Sequence, residues 1–169
     1  MPAEEKGIVT YINGPVVKGR GMALANMMEL VYVSEERLFG EIIGLEGDIA
    51  TIQVYEETTA LKPGVPIYRS GRPLAVELGP GLIGKVFDGI ERPLEPIRDK
   101  QGTFIWRGVH VEALDREKKW HFVPQAEKGQ EVVPGEIVGV VQETPLLEHR
   151  IVVPYGIRGQ LTEVAPEGD

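Results

Sequence analysis

Leu38-Phe39-Gly40-Glu41-Ile42-Ile43-Gly44-Leu45-Glu46-Gly47-Asp48-Ile49-Ala50-Thr51-Ile52-Gln53-Val54-Tyr55 decides the fold class. Leu38–Leu45 alternates as a strand with one buried face does. Glu46-Gly47-Asp48 supplies a turn, and Ile49–Tyr55 is a second run rich in β-branched residues. Working outward, Gly7–Ile12 is a strand that stops at Asn13-Gly14-Pro15, where glycine offers positive φ and proline cannot extend a ladder. Pro15-Val16-Val17 starts another strand, interrupted by Gly19-Arg20-Gly21. Leu61-Lys62-Pro63-Gly64 is a turn before Val65–Tyr68. Met22–Val33 has helical propensity at its start, but Met28, Leu30 and Tyr32 alternate with Glu29, Val31 and Val33, which favours a strand. Its methionines read as core filler. Six short strands in about 65 residues predict a small closed β-barrel, since closure removes exposed edges. Glu35-Glu36 and Glu56-Glu57 fall at its turns and read as solvated.

Composition agrees with a mainly β chain with little helix. The 169 residues include 21 Gly and 13 Pro, about a fifth of the chain, against roughly 12% in average usage. Eighteen basic and 26 acidic residues give a net charge of −8, which disfavours a nucleic-acid partner. Cysteine is absent, so neither disulfides nor thiolate chemistry is available, which suits a cytoplasmic location. No apolar run approaches the roughly 18 residues of a membrane span, and Met1–Lys6 is polar, unlike a signal peptide. Direct membrane insertion is not expected.

Gly79-Pro80-Gly81-Leu82-Ile83-Gly84-Lys85-Val86 matches both G-x-G-x-x-G and G-x-x-x-x-G-K. Such loops aim backbone N–H groups and a helix N-terminus at a phosphate. Here Val86 replaces the Ser or Thr that would hold Mg²⁺, Pro80 removes a donor, and no helix pattern follows. Gly79, Gly81, Gly84 and Lys85 therefore read as a decoy: a turn joining strands Leu74–Leu78 and Leu82–Phe87. Pro93 opens a short helix with Leu94 and Ile97 on one face, ended at Asp99–Gly102.

Thr103–Trp106 and Val109–Val111 are β-rich, and Asp115–Lys119 reads as a hairpin tip or a helical turn. Lys128-Gly129, Val132, Gly135, Ile137 and Gly139 carry the spacing of the first half of a biotinyl/lipoyl-like sandwich, with a second half in Val152–Leu161. The tip between them, Glu143–His149, has no lysine to acylate, so a carrier role lacks its nucleophile. His110, His121 and His149 are scattered and predict no metal site. Ser34 and Ser70 sit beside turn residues, outside any nucleophile elbow. The sequence predicts no catalytic residue, no bound cofactor and no metal.

Ser70-Gly71-Arg72-Pro73-Leu74-Ala75-Val76, followed by Gly79, Leu82, Gly84-Lys85-Val86 and Asp88-Gly89, resembles the linker of rotary ATPase head subunits; Glu77 departs from a frequent proline. Ala113–Trp120, Val141–Thr144 and His149–Pro154 resemble an insertion found in catalytic A subunits of A-type and V-type rotary ATPases. Gly40–Ile43 and Gly47–Glu56 are similar to the barrel of the same subunits. The resemblance implies a barrel over residues 1–72, a linker over 73–102 leading to a nucleotide domain, and an inserted β bulge domain over 103–169. It implies a barrel that joins B-type head subunits in a crown, and a bulge facing peripheral stator elements. ATP and Mg²⁺ would be bound by a part of the longer polypeptide beyond this stretch. The expected location is the soluble head, peripheral to the membrane. Asp115, Arg116, Lys118, Glu143 and Glu148 are the candidate partner contacts. An acylated carrier and an autonomous nucleotide-binding module remain as the alternative function classes.

Overall fold

A computed structural model describes residues 6–169. The reading of the first residues as a polar start without a signal falls mostly on residues 1–5, which lie outside the described residues. The chain divides into two units, one comprising residues up to Val76 with Pro96–Val111, the other Glu77–Glu95 with Glu112–Asp169. Residues 96–111, expected to split between linker and bulge, group with the barrel.

In the first unit, β1 (Lys6–Asn13), β2 (Val16–Arg20), β3 (Glu29–Val33), β4 (Leu38–Glu46), β5 (Ile49–Val54) and β6 (Pro66–Pro73) close into an antiparallel barrel of order β1-β2-β5-β4-β3-β6. Two-residue loops fix two registers. Asn13 pairs with Val16 around Gly14-Pro15, and Glu46 pairs with Ile49 around Gly47-Asp48. Gly14 and Gly47 take φ of +55° and +61°, which glycine adopts without steric cost. β6 closes the barrel by pairing with both β1 and β3.

Val9, Val17, Val31, Val33, Leu38, Ile42, Ala50, Ile52, Val54 and Ile67 fill the interior with Met22. A six-stranded barrel is narrow, so large residues face small ones. Ile67 occupies the space beside Gly19, Ile52 that beside Gly40, and Met22 that beside Gly7. This packing explains the first correction: Gly19 and Arg20 belong to β2, and the chain breaks only at Gly21. A second concerns residues 22–28, which form turns rather than the favoured strand. Met22 is core, but Met27 and Met28 are exposed, with Met28 at φ +63°.

The β3–β6 seam holds a buried carboxylate. Glu29, 1% exposed, accepts from Arg69 Nε at 3.1 Å and from the backbone amides of Asn26 at 2.9 Å and Gly71 at 3.0 Å. Burial pushes its pKa up, but the Arg69 hydrogen bond, the two amides and the Arg69 charge outweigh burial and hold the carboxyl below its ordinary value.

Thr103–Trp106 and Val109–Val111, read as β-rich, form no strand, and the stretch 103–111 is strapped to the barrel by side chains. Arg107 makes a bidentate pair with Glu36, at 2.9 and 3.0 Å. The Gly108 amide donates to Glu56 at 2.7 Å, and the His110 ring packs on Phe39 at 4.7 Å between centroids. Glu36 and Glu56 are thus turn residues engaged with the strap.

The helix is present as α1 (Leu94–Gln101), with Ile97 buried and Gly102, at φ +82°, ending it. In the second unit, β7 (Phe122–Pro124), β9 (Ile137–Thr144) and β10 (Leu147–Val152) form one sheet of order β10-β9-β7; β8 (Glu131–Val132) pairs with β11 (Gly159–Gln160) in another. Pro93, Ala126, Val132, Val140, Val141 and Val153 are buried in it, and the Phe122 ring covers Gly139.

Replacing Glu29 by Ala removes the acceptor of Arg69 Nε and of two backbone amides, and should cost about 3 kcal/mol in urea denaturation. Because the Glu29 pKa is lowered on folding, its contribution is present above the unfolded carboxylate value and is lost as pH falls through the folded one. The Glu29→Gln chain should lack that acid-side loss. Equal pH profiles for the two chains would contradict the assignment.

Candidate functional site

Of the residues singled out from sequence, Glu143 and Arg116 reach the glycine-bearing segment 77–93 of the second unit. Neither Leu74–Leu78 nor Leu82–Phe87 forms a strand. Prolines 73 and 80 lack donors, and side chains take the amides a ladder would use. Glu143, at the end of β9, accepts through Oε1 from the Gly81 amide at 2.7 Å and the Ile83 amide at 3.3 Å. Asp88 accepts through Oδ1 from the amides of Ile90 at 3.1 Å and Arg92 at 2.8 Å, while its Oδ2 receives Arg92 Nε at 2.7 Å. These bonds make a closed turn, flanked by the bridge between Phe87 and Pro93.

In the loop as folded, a carboxylate of the same unit occupies the amides. The two amides that converge on an anion already hold the Glu143 carboxylate, and the helix next in sequence begins only at Leu94. Gly81 and Gly84 are at φ +103° and +83°, and Trp120 lies where a Cβ on Gly81 would project. The glycines therefore serve a tight turn and a close aromatic approach. Lys85 closes the turn with its amide on the Leu82 carbonyl, at 3.2 Å.

The other candidates are also paired. Asp115 accepts from the amides of Glu117 at 3.0 Å and Lys118 at 3.3 Å, so Asp115–Lys119 is a side-chain-capped turn, neither a hairpin tip between strands nor a helical turn. Arg116 bridges Glu77 and Glu112. The Lys118 amine lies 3.9 Å above the Trp120 ring. Glu148 pairs with Arg150 at 3.3 Å beside the β9–β10 turn, Pro145-Leu146. Of the five, Glu143 is the one held by the amides of the glycine loop. Sequence reasoning missed Glu143 as a ligand of the glycine loop, Asp88 as its second organiser, and the Glu29–Arg69 pair. Of these, only Asp88-Gly89 carried a local turn signal.

Leu78, Leu82, Ile83, Leu146 and Leu147, edged by His149, line an open groove of about 670 Å³. Leu146 at the hairpin tip is 98% exposed. Among the described residues, no three His, Asp or Glu side chains could hold a metal ion together, and no helix is long and apolar enough to cross a membrane.

Removing the Glu143 carboxylate (Glu143→Ala) should cost about 1.5–3 kcal/mol, the range for hydrogen bonds to a charged group. It should also speed hydrogen exchange at Gly81 and Ile83. Unchanged exchange at both amides would refute the staple.

Comparison with known proteins agrees with this architecture. Residues 9–71 match the beta-barrel domain of the ATP synthase alpha/beta family, and residues 111–169 match the ATP synthase alpha/beta subunit barrel-sandwich domain. The chain is 54% identical over 166 residues, 98% of its length, to the A subunit of the A-type ATP synthase of Saccharolobus solfataricus. It is 52% identical over 164 residues to the protein of the same name from Saccharolobus islandicus, and 52% identical over 165 residues to the V-type ATP synthase alpha chain of Halothermothrix orenii. In each case it spans 28% of the relative's length. With a closed barrel over the first match and two small sheets within the second, the chain belongs to the ATP synthase alpha/beta family, of which it carries the β-barrel and barrel-sandwich domains.

Proposed function

We propose that this chain is the framework portion of the catalytic A subunit of an A-type or V-type ion-translocating rotary ATPase. In this reading the barrel packs beside B-type head subunits in the crown, and the barrel-sandwich unit faces peripheral stator elements. The observation that carries it is the 54% identity, sustained over 98% of the chain, to the A subunit of an A-type ATP synthase.

Physical features support a docking role. The barrel pairs its strands all the way round, so lateral packing has to use side chains on its outer face. Ile8, Tyr11, Ile43, Ile49 and Tyr55 are exposed there, on or next to β1, β4 and β5. Such residues suit heterologous contacts that close a ring. In the second unit the exposed Leu146, with Glu148, Asp115, Arg116 and Lys118, is the surface offered to a stator element. Glu143 is committed to its own loop. ATP and Mg²⁺ are assigned to other parts of the longer polypeptide, and the chain by itself turns over no ATP. Its place is the cytoplasmic head, peripheral to the membrane.

The test is sedimentation of the chain with purified B-type head subunits. Association is expected, weakened roughly tenfold by Ile49→Asp, a loss typical of a residue central to an interface. Steady ATP hydrolysis by the purified chain, or failure to associate, would overturn the reading.

A further inference from the structure

The segment 162–169 is held in the second unit by very little. None of its residues is buried. Its backbone attachment to β7 is a single bridge, in which the Phe122 amide donates to the Gly168 carbonyl at 2.8 Å and the Gly168 amide to the Phe122 carbonyl at 3.1 Å. Beside that bridge, His121 is clamped from both sides. Its Nδ1 lies 3.2 Å from Asp169 Oδ1 and its Nε2 lies 3.3 Å from Glu167 Oε1. We propose that His121, Glu167 and Asp169 form a proton-operated clasp that fastens the segment 162–169 to β7.

The geometry selects one protonation state. A neutral imidazole has one N–H and can donate to one carboxylate only, leaving the other facing a nitrogen lone pair. An imidazolium donates to both and cancels part of their charge. Glu167 and Asp169 flank Gly168, whose two backbone bonds to Phe122 bring both side chains to one ring. Each lies against a different nitrogen, so they share no point at which a cation would meet the imidazole as well.

The charged groups that reach the ring among the described residues are these two carboxylates. On the ring's own segment the Lys118 amine is occupied over Trp120, and Lys119 lies two residues before His121. Across the sheet, β9 sets the uncharged Val141 opposite Phe122, and β10 beyond it sets His149 opposite Val141. Hydrogen bonding to Asp169, then to Glu167, raises the His121 pKa above its ordinary value. A raised folded value means that, while both carboxylates are ionised, the clasp is formed below about pH 6.5, the ordinary histidine value, and opens as pH rises through the folded one.

A histidine-resolved NMR titration of the 169-residue chain, with amide exchange recorded across the same pH span, tests the clasp. His121 should titrate above about 6.5, and Glu167→Gln with Asp169→Asn should bring it back to that value. Protection of the Phe122 and Gly168 amides, relative to unstructured peptide, should fall severalfold as His121 loses its proton. In His121→Gln it should stay low and flat. Concentrated salt should lower the His121 value in the native chain, because the pair is exposed and screened. Titration of His121 at or below the ordinary value, or protection at Phe122 and Gly168 that ignores pH in the native chain, would overturn the proposal.

Discussion

Barrel closure is the constraint on which the first unit depends, and β6 accomplishes it. Every other strand in the barrel has at least one partner adjacent to it in sequence, whereas β6 joins β1 and β3, both far away along the chain. Its register against β3 is marked by Glu29. A carboxylate removed from water is costly unless its hydrogen bonds are supplied. Here they come from Asn26 before β3, Arg69 within β6 and the Gly71 amide near its end. The buried charge therefore admits one arrangement, in which the loop after β2 and the far end of β6 meet at one point. Met22 then fits into the core beside Gly7, and the loop 22–28 can be neither helix nor strand. The Glu36–Arg107 and Glu56–Gly108 contacts extend the same logic outside the barrel, fastening the strap with carboxylates at its turns.

The second unit is assembled differently. Its sheets are small and its buried apolar residues few. Much of its backbone is satisfied by side-chain carboxylates, with Asp88 closing the 88–92 turn, Asp115 the 115–118 turn and Glu143 the glycine loop. A ladder buries strand faces against one another. Carboxylate caps fix a backbone trace while leaving its apolar side chains outside, and Leu78, Ile83, Leu146 and Leu147 stand exposed as a result. A unit built this way offers shaped apolar surface at modest internal cost, which suits a part of a larger assembly.

How much was legible follows from where the information lies. The barrel strands were readable because a half-buried strand writes its burial into a period of two, as Ile49–Val54 and residues 38–42 do. Thr103–Trp106 has the same local β propensity and forms no strand, because its path is set by Arg107, Gly108 and His110 meeting groups on a barrel more than fifty residues earlier in sequence. Local composition cannot encode that pairing. The same holds for Gly79–Lys85. Its glycines announce a loop with free amides, but the ligand for those amides sits about sixty residues downstream. Family membership was legible in a different way, through linker and insertion patterns spread along the chain.

The glycine loop shows why a motif able to bind anions need not bind a free one. Two amides converge on a point where negative charge is favoured. Glu143 reaches that point from β9, a strand whose position is fixed by pairing with β7 and β10. A tethered group competes at an effective concentration on the order of millimolar or more, without the loss of translational freedom that a free anion incurs. A diffusing phosphate would also have to leave an ionised carboxylate within the same turn, where the two negative charges repel. Val86 stands where a hydroxyl would, and the helix next in sequence begins at Leu94. The loop receives a carboxylate of its own unit, and the same turn supplies Leu82 and Ile83 to the groove that Leu146 also lines.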